Sequence, residues 1–400
     1  MRHASNKIPK IGLVGVSGFA RNHLKTLHAL AANQEVQISC ATIINQSEEP
    51  EACQELQKIG CRIYDDFDKM VKAEAHALDL CVIPTGIALH CRMTIAALEA
   101  GWNVLVEKPV AGTIAEVDEM IAARDQAKLR VFVGYQDLYQ DATNDIKNRL
   151  LAGAIGTVSH IKVMASWPRP IYYYQRNNWA GKIRDGDHFV YDSPANNALA
   201  HFLMASLYFS GNKLHSAANV AEFEASLFRA QSIETFDTIS AKMRTDTGVE
   251  ILYNVTHSGS TLIEPIIEIS GSTGSVHWEF RKHFRIFPSG ELIPTVDSME
   301  ARSTEFRKIL HAIRTGEAAG ASLEVARTHT DFINQLHAQC VIEDIPSDLI
   351  DCSYNSEDHA HRSIQGIENC IKKSFISNRR LTIEEIEKTN HTTPSSLTAL

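Results

Sequence analysis

Between residues 8 and 134, short apolar runs alternate with segments whose apolar residues recur every three or four positions. This alternation is the strongest constraint on the fold. The runs are Ile11-Gly12-Leu13-Val14, Val36 to Ile44, Leu78 to Ile83, Val104-Leu105-Val106 and Val131-Phe132-Val133, with a shorter one at Arg62-Ile63-Tyr64. They are close to continuously apolar, as strands covered on both faces are. The intervening segments carry helical spacing: Leu24, Leu27, His28 and Leu30; Cys53, Leu56 and Gln57; Phe67, Met70 and Val71; Met93, Ile95, Ala96 and Leu98; and Ile114 to Lys128. Strands separated by helices cannot pair as hairpins and need crossovers. The expected fold for 8–134 is therefore an α/β, doubly wound parallel sheet.

Ligands of such sheets bind outside the carboxyl ends of the strands. Two strand ends stand out. After the first come Gly15-Val16-Ser17-Gly18-Phe19-Ala20, a strand–glycine turn–helix context that suits a dinucleotide pyrophosphate. Gly15 can make the tight turn, Ser17 and Gly18 allow close backbone approach, and Ala20 lets the helix pack on the strand. By itself the same turn also reads as a glycine-rich connection with no ligand. The second strand should end in an acid for the adenosine ribose. Asn45-Gln46-Ser47 stand there instead, with Glu48 the first acid, so neither NAD nor NADP is selected. The other end is Val106-Glu107-Lys108-Pro109, where Pro109 biases Lys108 toward an extended backbone. A lysine so placed can carry protons if partial desolvation lowers its pKa; taken alone, the stretch reads first as a surface Glu-Lys pair after a strand.

The rest of the chain changes character. A helix is expected over Tyr139 to Ala152 and a strand over Thr157 to Ser166. The following loop, Trp167 to Gly181, holds two Trp, three Tyr and two Arg. Aromatic faces stack on sugar rings while Arg and Asn bond hydroxyls, so the loop suits a polyol pocket or, equally, an aromatic boundary. Asp192 or Ser193 is placed to cap a helix with Pro194 at its first position and an apolar stripe at Ala195, Ala198, Leu199, Phe202, Leu203 and Leu207. Asn197 and His201, four apart, would share a face of it. Short strands at Ile239 to Thr245, Val249 to Thr256, Ile266 to Ser270, Ser275 to Phe280 and Phe284 to Phe287 predict an open, mainly antiparallel sheet in an α+β domain. Helices follow at Glu305 to Arg314, Leu323 to Ile342 and Ile364 to Phe375. The expected division is 8–134, 135–387 and a polar tail at 388–400.

A net charge of −9 leaves no basic excess for a nucleic acid. The eight cysteines form no CxxC and no group with His, so no metal site is expected and the thiols should be reduced, as in the cytoplasm. The first residues are polar with no apolar segment of leader type behind them, and no apolar run nears the ~20 residues of a membrane helix.

Gly15-Val16-Ser17-Gly18-Phe19, Pro84-Thr85-Gly86 with His90, and Glu107-Lys108-Pro109 together resemble the glucose–fructose oxidoreductase, inositol dehydrogenase and rhizopine-catabolism (Gfo/Idh/MocA) family. The resemblance implies a Rossmann domain holding NAD or NADP, with Gly15, Ser17, Gly18, Phe19, Ala20, Asn45, Thr85, His90, Glu107 and Lys108 at the cofactor and Lys108 facing substrate. It implies substrate contacts from Arg176, Asn178, Trp179, Asn196, Asn197 and His201, and a homodimer or homotetramer. The family usually has Asp followed four positions later by His; here these are Asp192 and Asn196. Asparagine cannot take a proton, so Lys108 would act with help from Asp192, and Asn196 would only hold substrate. The implied activity is hydride transfer between nicotinamide and a secondary alcohol or ketone of a sugar, inositol or sugar derivative. Two alternatives keep the same fold: a NAD-dependent glycoside hydrolase or lyase with transient redox, and a non-catalytic dinucleotide sensor.

Overall fold

A computed structural model of the chain describes residues 7–354 and 360–391. The first stretch runs β1 (Lys10–Val14), α1 (Ala20–Ala32), β2 (Gln37–Thr42), α2 (Pro50–Lys58), β3 (Arg62–Tyr64), α3 (Phe67–Glu74), β4 (Leu80–Ile83), α4 (Ile87–Glu99), β5 (Asn103–Val106), α5 (Ile114–Ala127) and β6 (Val131–Val133). Then come α6 (Asp141–Leu151), β7 (Val158–Ser166), the two-residue strands β8 (Arg184–Asp185) and β9 (His188–Phe189), and α7 (Ala200–Ser210). A run of strands follows: β10 (Val220–Arg229), β11 (Thr238–Thr245), β12 (Glu250–Thr256), β13 (Ile263–Gly271), β14 (Ser275–Glu279), β15 (His283–Phe287) and β16 (Leu292–Pro294). The chain closes with α8 (Ser298–Thr315), α9 (Leu323–Gln339), β17 (Ile342–Asp344), β18 (Ile350–Tyr354), β19 (Ala360–Ile364), α10 (Ile367–Ser377) and α11 (Ile383–His391).

The first of two units holds a six-stranded parallel sheet in the order β3-β2-β1-β4-β5-β6. Ile11, Leu13, Leu80, Val82, Val104, Leu105 and Val106 are fully buried, as the continuous apolar runs required. Strand order reverses between β1 and β4, which puts the ligand crevice at the carboxyl ends of those strands. The expected boundary at 134/135 is not where this unit ends. Residues 135–145, 214–216 and 296–331 fold with it. The physical reason is α8, whose buried side holds Ala301, Phe306, Ile309 and Leu310. Phe306 meets His23 of α1 edge-on at 5.9 Å, and Arg307 reaches Glu35 at 2.8 Å.

The second unit is built on a nine-stranded sheet, β16-β15-β14-β13-β7-β12-β11-β10-β17. It is mainly antiparallel; β7–β12 and β10–β17 are its parallel pairs. On one face Ile161, Val163 and Ala165 are fully buried toward α7, and Tyr253 on the same face donates to the Leu199 carbonyl at 2.9 Å. The opposite face is divided. Toward the Thr256 end it carries Phe228, Met164, Asn254 and Ser240, covered by α10 and α11: Asn254 donates to Ser374, and the Leu381 amide to Ser240, at 2.8 Å each. The remaining rows are charged, with Glu222–Arg244–Glu250 and Lys162–Glu268 pairs across neighbouring strands.

Three expected elements change. The helix placed at Ser193 starts only at Ala200, because residues 193–199 form turns in which the Asn197 and Leu199 amides bond the Ser193 and Pro194 carbonyls. Ile364 ends a strand, and the helix begins at Ile367. Of the expected tail, 388–391 complete α11 and 392–400 lie outside the described residues. No helix among the described residues is long and apolar enough to cross a membrane.

Candidate active site

In the first unit the turn after β1 is held by Gly15, whose amide donates to the Thr42 carbonyl at the end of β2 at 2.8 Å. Gly15 and Gly18 have φ of +86° and +56°, the region other residues rarely adopt. A Cβ at either would meet nothing within 4 Å, so glycine is required here by the backbone, and the space above the turn is open. Ser17 and Phe19 lie exposed beside it, while Ala20 is buried against the sheet. The first amides of α1 have no side-chain cap and no acid in the first turn. The Ala20, Arg21 and Asn22 amides bond back to the Ser17, Gly18 and Phe19 carbonyls; an open, small-residue turn at the positive end of a helix fits a diphosphate. Past β2, Asn45 donates to Glu48 at 3.0 Å, which brings the first acid to the place where a ribose acid was missing.

The end of β5 is built on a buried ion pair. Glu107 accepts from His23 Nε2 at 2.7 Å through one oxygen and from the Lys108 amide at 3.0 Å through the other. Burial alone would raise this carboxyl, but the His23 hydrogen bond and charge and the nearby Lys108 outweigh it and hold the pKa down to about 2. A Cβ at Gly134 would sit 2.8 Å from the carboxylate, so only glycine leaves room for it. Glu107 was expected at the cofactor. Its oxygens are instead committed inward, and it acts as a strut that fixes the backbone of Lys108. His90 is also internal: its ring nitrogens lie 2.9 Å from the Pro109 carbonyl and 3.1 Å from that of Thr85, tying the two strand ends together. Burial lowers its pKa, and the neutral ring, with a single N–H, donates to one of the two carbonyls at a time. The Thr85 hydroxyl is buried without a hydrogen-bond partner among the described residues, as a group awaiting a ligand would be.

One acid here was missed. Glu305 of α8 is 1% exposed, and its Oε1 has no hydrogen-bond partner among the described residues. Burial, reinforced by Glu107 and Asp137 and only partly offset by Arg302, raises its pKa well above the carboxylate range. It sits at the i, i+4 spacing of the buried stripe Ala301–Glu305–Ile309, a signal available in the sequence.

In the second unit Asp192 is 3% exposed and does not cap a helix, since α7 begins eight positions later. One carboxylate oxygen accepts from the Gly181 amide and the other from Asn197 Nδ2, both at 2.7 Å, and Arg176 approaches to 3.6 Å. The Arg176 guanidinium lies 3.8 Å from the Tyr173 ring centre and 5.2 Å from that of Trp179. Arg176, Trp179, Asp192 and Asn197 thus form one cluster. Asn178 is exposed on the same loop. Asn197 stands before α7 and His201 in its first turn, so they do not share a helix face. Asn196 is 2% exposed, and its amide nitrogen donates to the Val190 and Tyr191 carbonyls at 2.9 and 3.2 Å. That secures a turn in which Tyr191 has φ +46°.

Residues 9–135 match the model of a family described as an oxidoreductase family, Gfo/Idh/MocA, with an NAD-binding Rossmann fold. The chain is 26% identical over 148 residues to inositol 2-dehydrogenase of Salmonella typhimurium, covering 37% of this chain and 43% of that protein. It is 31% identical over 148 residues to D-apiose dehydrogenase of Paraburkholderia graminis, covering 37% and 38%. These matches thus span less than half the length of the curated relatives. Among solved structures, the WlbA dehydrogenase from Bordetella pertussis, in complex with NADH and UDP-GlcNAcA, aligns with a TM-score of 0.67 at 22% identity over 83% of this chain and 96% of that one. UDP-N-acetylglucosamine 3-dehydrogenase GnnA from Acidithiobacillus ferrooxidans aligns at 0.66 with 18% identity, over 83% and 97%. At these identities the structures share the fold.

Proposed function

We propose, on the match of residues 9–135 to the NAD-binding Rossmann model of the Gfo/Idh/MocA oxidoreductase family, that the whole chain is an NAD(P)-dependent dehydrogenase of a secondary alcohol or ketone in a sugar, inositol or sugar derivative. The observation that carries this is the Glu107–His23 pair, which fixes the Lys108 amide at the carboxyl end of β5. The bound nicotinamide supplies the hydride chemistry. Gly15, Ser17, Gly18, Phe19 and Ala20 would hold the diphosphate, Asn45 with Glu48 the adenosine ribose, and Thr85 the rim of the crevice. Lys108 would take the proton from the substrate hydroxyl on oxidation and return it on reduction. Asp192 would tune that transfer, with Arg176, Asn178, Trp179, Asn197 and His201 holding hydroxyls. Asn196, engaged with backbone carbonyls, would shape the pocket and move no proton.

The named relatives act on inositol and apiose, which supports a polyol substrate. Eight free thiols support a cytoplasmic, reducing setting. Copies of the chain would pair, as a homodimer or homotetramer, on the charged rows of the second sheet. The test is Lys108→Ala, with NADH affinity read by fluorescence and turnover read on a panel of sugars and inositols. Affinity is expected to persist while turnover falls at least ~100-fold, the low end for a lost general acid or base. Undiminished turnover would refute the assignment.

A further inference from the structure

Two guanidinium groups flank Tyr173 in the second unit, and one of them has no acid. Arg176 has Asp192 at 3.6 Å. Arg169 lies 5.0 Å from the Tyr173 ring centre and 5.8 Å from that of Trp167, and among the described residues no carboxylate comes within 4.0 Å of it. Its Nε is buried and without a hydrogen-bond partner. A buried N–H left without an acceptor is costly unless a partner arrives.

The surroundings do not supply the missing charge. His257, 2% exposed, is kept neutral by burial and by the two guanidinium groups. The Tyr173 phenol is pushed upward, chiefly by burial, and stays neutral. Asp237 is fully buried and closed off by the amides of Ala230 and Gln231 at 2.7 Å each, and Glu264 is engaged by Trp167 Nε1 at 3.1 Å. Asp192 therefore stands against two arginines. The backbone of Arg169 is also pinned: its amide donates to the His257 carbonyl at 3.0 Å, and its own carbonyl lies 3.0 Å from His361 Nδ1. A planar fork presented from a fixed position, against the aromatic faces of Trp167 and Tyr173, matches a sugar ring that bears a carboxylate or a phosphate.

We propose that Arg169 anchors an anionic group of the substrate, so that the chain acts on an acidic sugar, a sugar acid or sugar phosphate, in preference to a neutral one. This rests on the dehydrogenase reading for its reaction, though not for its binding. D-glucuronate, D-glucose 6-phosphate and D-glucose are the probes. Their affinities for the full chain are measured by titration calorimetry, with and without NAD, beside Arg169→Gln and Arg169→Lys. One of the two anions is expected to bind at least 10-fold more tightly than glucose, and which one does so separates carboxylate from phosphate. R169Q should weaken that anion about 10- to 100-fold, the range of a hydrogen bond to a charged group, and leave glucose and NADH affinities unmoved. R169K should recover part of the loss. In turnover the change should fall on KM, with kcat within about threefold. Glucose binding as tightly as both anions, or an anion preference that survives in R169Q, would overturn the proposal. Wild-type chain that prefers an anion yet binds no NADH would uphold the anchor and sink the dehydrogenase reading alone.

Discussion

Glu305 makes the stability of the first unit fall as pH rises, and Glu305→Gln should remove that dependence. The carboxyl is 1% exposed, has an Oε1 without a hydrogen-bond partner among the described residues, and is raised well above its ordinary value by burial and by Glu107 and Asp137. In the unfolded chain it titrates near the usual 4.5. Above that pH the folded chain still holds the proton and the unfolded chain does not. More protons bound in the native state means stability declines with pH, by up to about 1.4 kcal/mol per pH unit, until the folded group itself ionises. For a domain of 150–250 residues, 1 kcal/mol moves the thermal midpoint about 2–4 °C. For each pH unit between the usual 4.5 and the raised folded value, the wild type should therefore lose about 3–6 °C relative to E305Q, whose amide is close in shape to the protonated acid. Midpoints of both proteins across pH 4 to 8 provide the assay, and their difference cancels every titration the two share. Below about pH 4.5 both states carry the proton and the curves should run parallel. Glu107 has the opposite sign: its folded pKa is about 2, so its contribution is present above about 4.5 and fades toward pH 2 in both proteins. A midpoint difference that stays constant from pH 4 to 8 would show that Glu305 is ionised in the fold and refute the reasoning.

The second unit offers two further tests. Lys147 is fully buried, donates to the Tyr208 and Gly211 carbonyls at the end of α7, and is drawn by burial down to about 7. The folded chain then binds fewer protons than the unfolded one between about 7 and the usual 10.5, so stability should rise with pH over that window, and a Lys147→Met variant should show no such rise in chemical denaturation. Phe228, fully buried, packs with Ile364, Ile367, Ile371, Leu381 and Ile386; Phe228→Ala should cost about 3–5 kcal/mol and speed hydrogen exchange in α10 and α11, whereas unchanged exchange there would show that these helices do not depend on the sheet.

The strands of the first unit were legible because each is covered on both faces and reads as an apolar run of Ile, Leu and Val. β10 was not, because a register shift between Val220 and Glu222 interrupts its alternation just where the strand begins. The start of α7 misled for another reason. Asp192-Ser193-Pro194 has the composition of a helix cap, but the Asp192 carboxylate is claimed by the Gly181 amide and Asn197. A residue that can serve either a local or a distant amide does not announce which. Nor did any local signal show that α8, about 160 residues beyond β6, belongs with the first sheet, since that depends on Phe306 meeting His23 and Arg307 meeting Glu35. Lys108 stood out by its place after β5, whereas Arg169 did not within its aromatic loop, because its lack of an acid within 4.0 Å among the described residues is visible only in three dimensions.

In the proposed reaction Lys108 carries the proton, and the Glu107 carboxylate fixes the backbone from which that side chain extends. A lysine after a strand is ordinarily a mobile, fully solvated ammonium of little use as a base. Here the residue before it is nailed to α1 by His23, whose ring is fully buried and lies edge-on to Phe19 at 5.8 Å and to Phe306 at 5.9 Å. The same carboxylate binds the Lys108 amide, so the backbone from which the ammonium extends cannot drift.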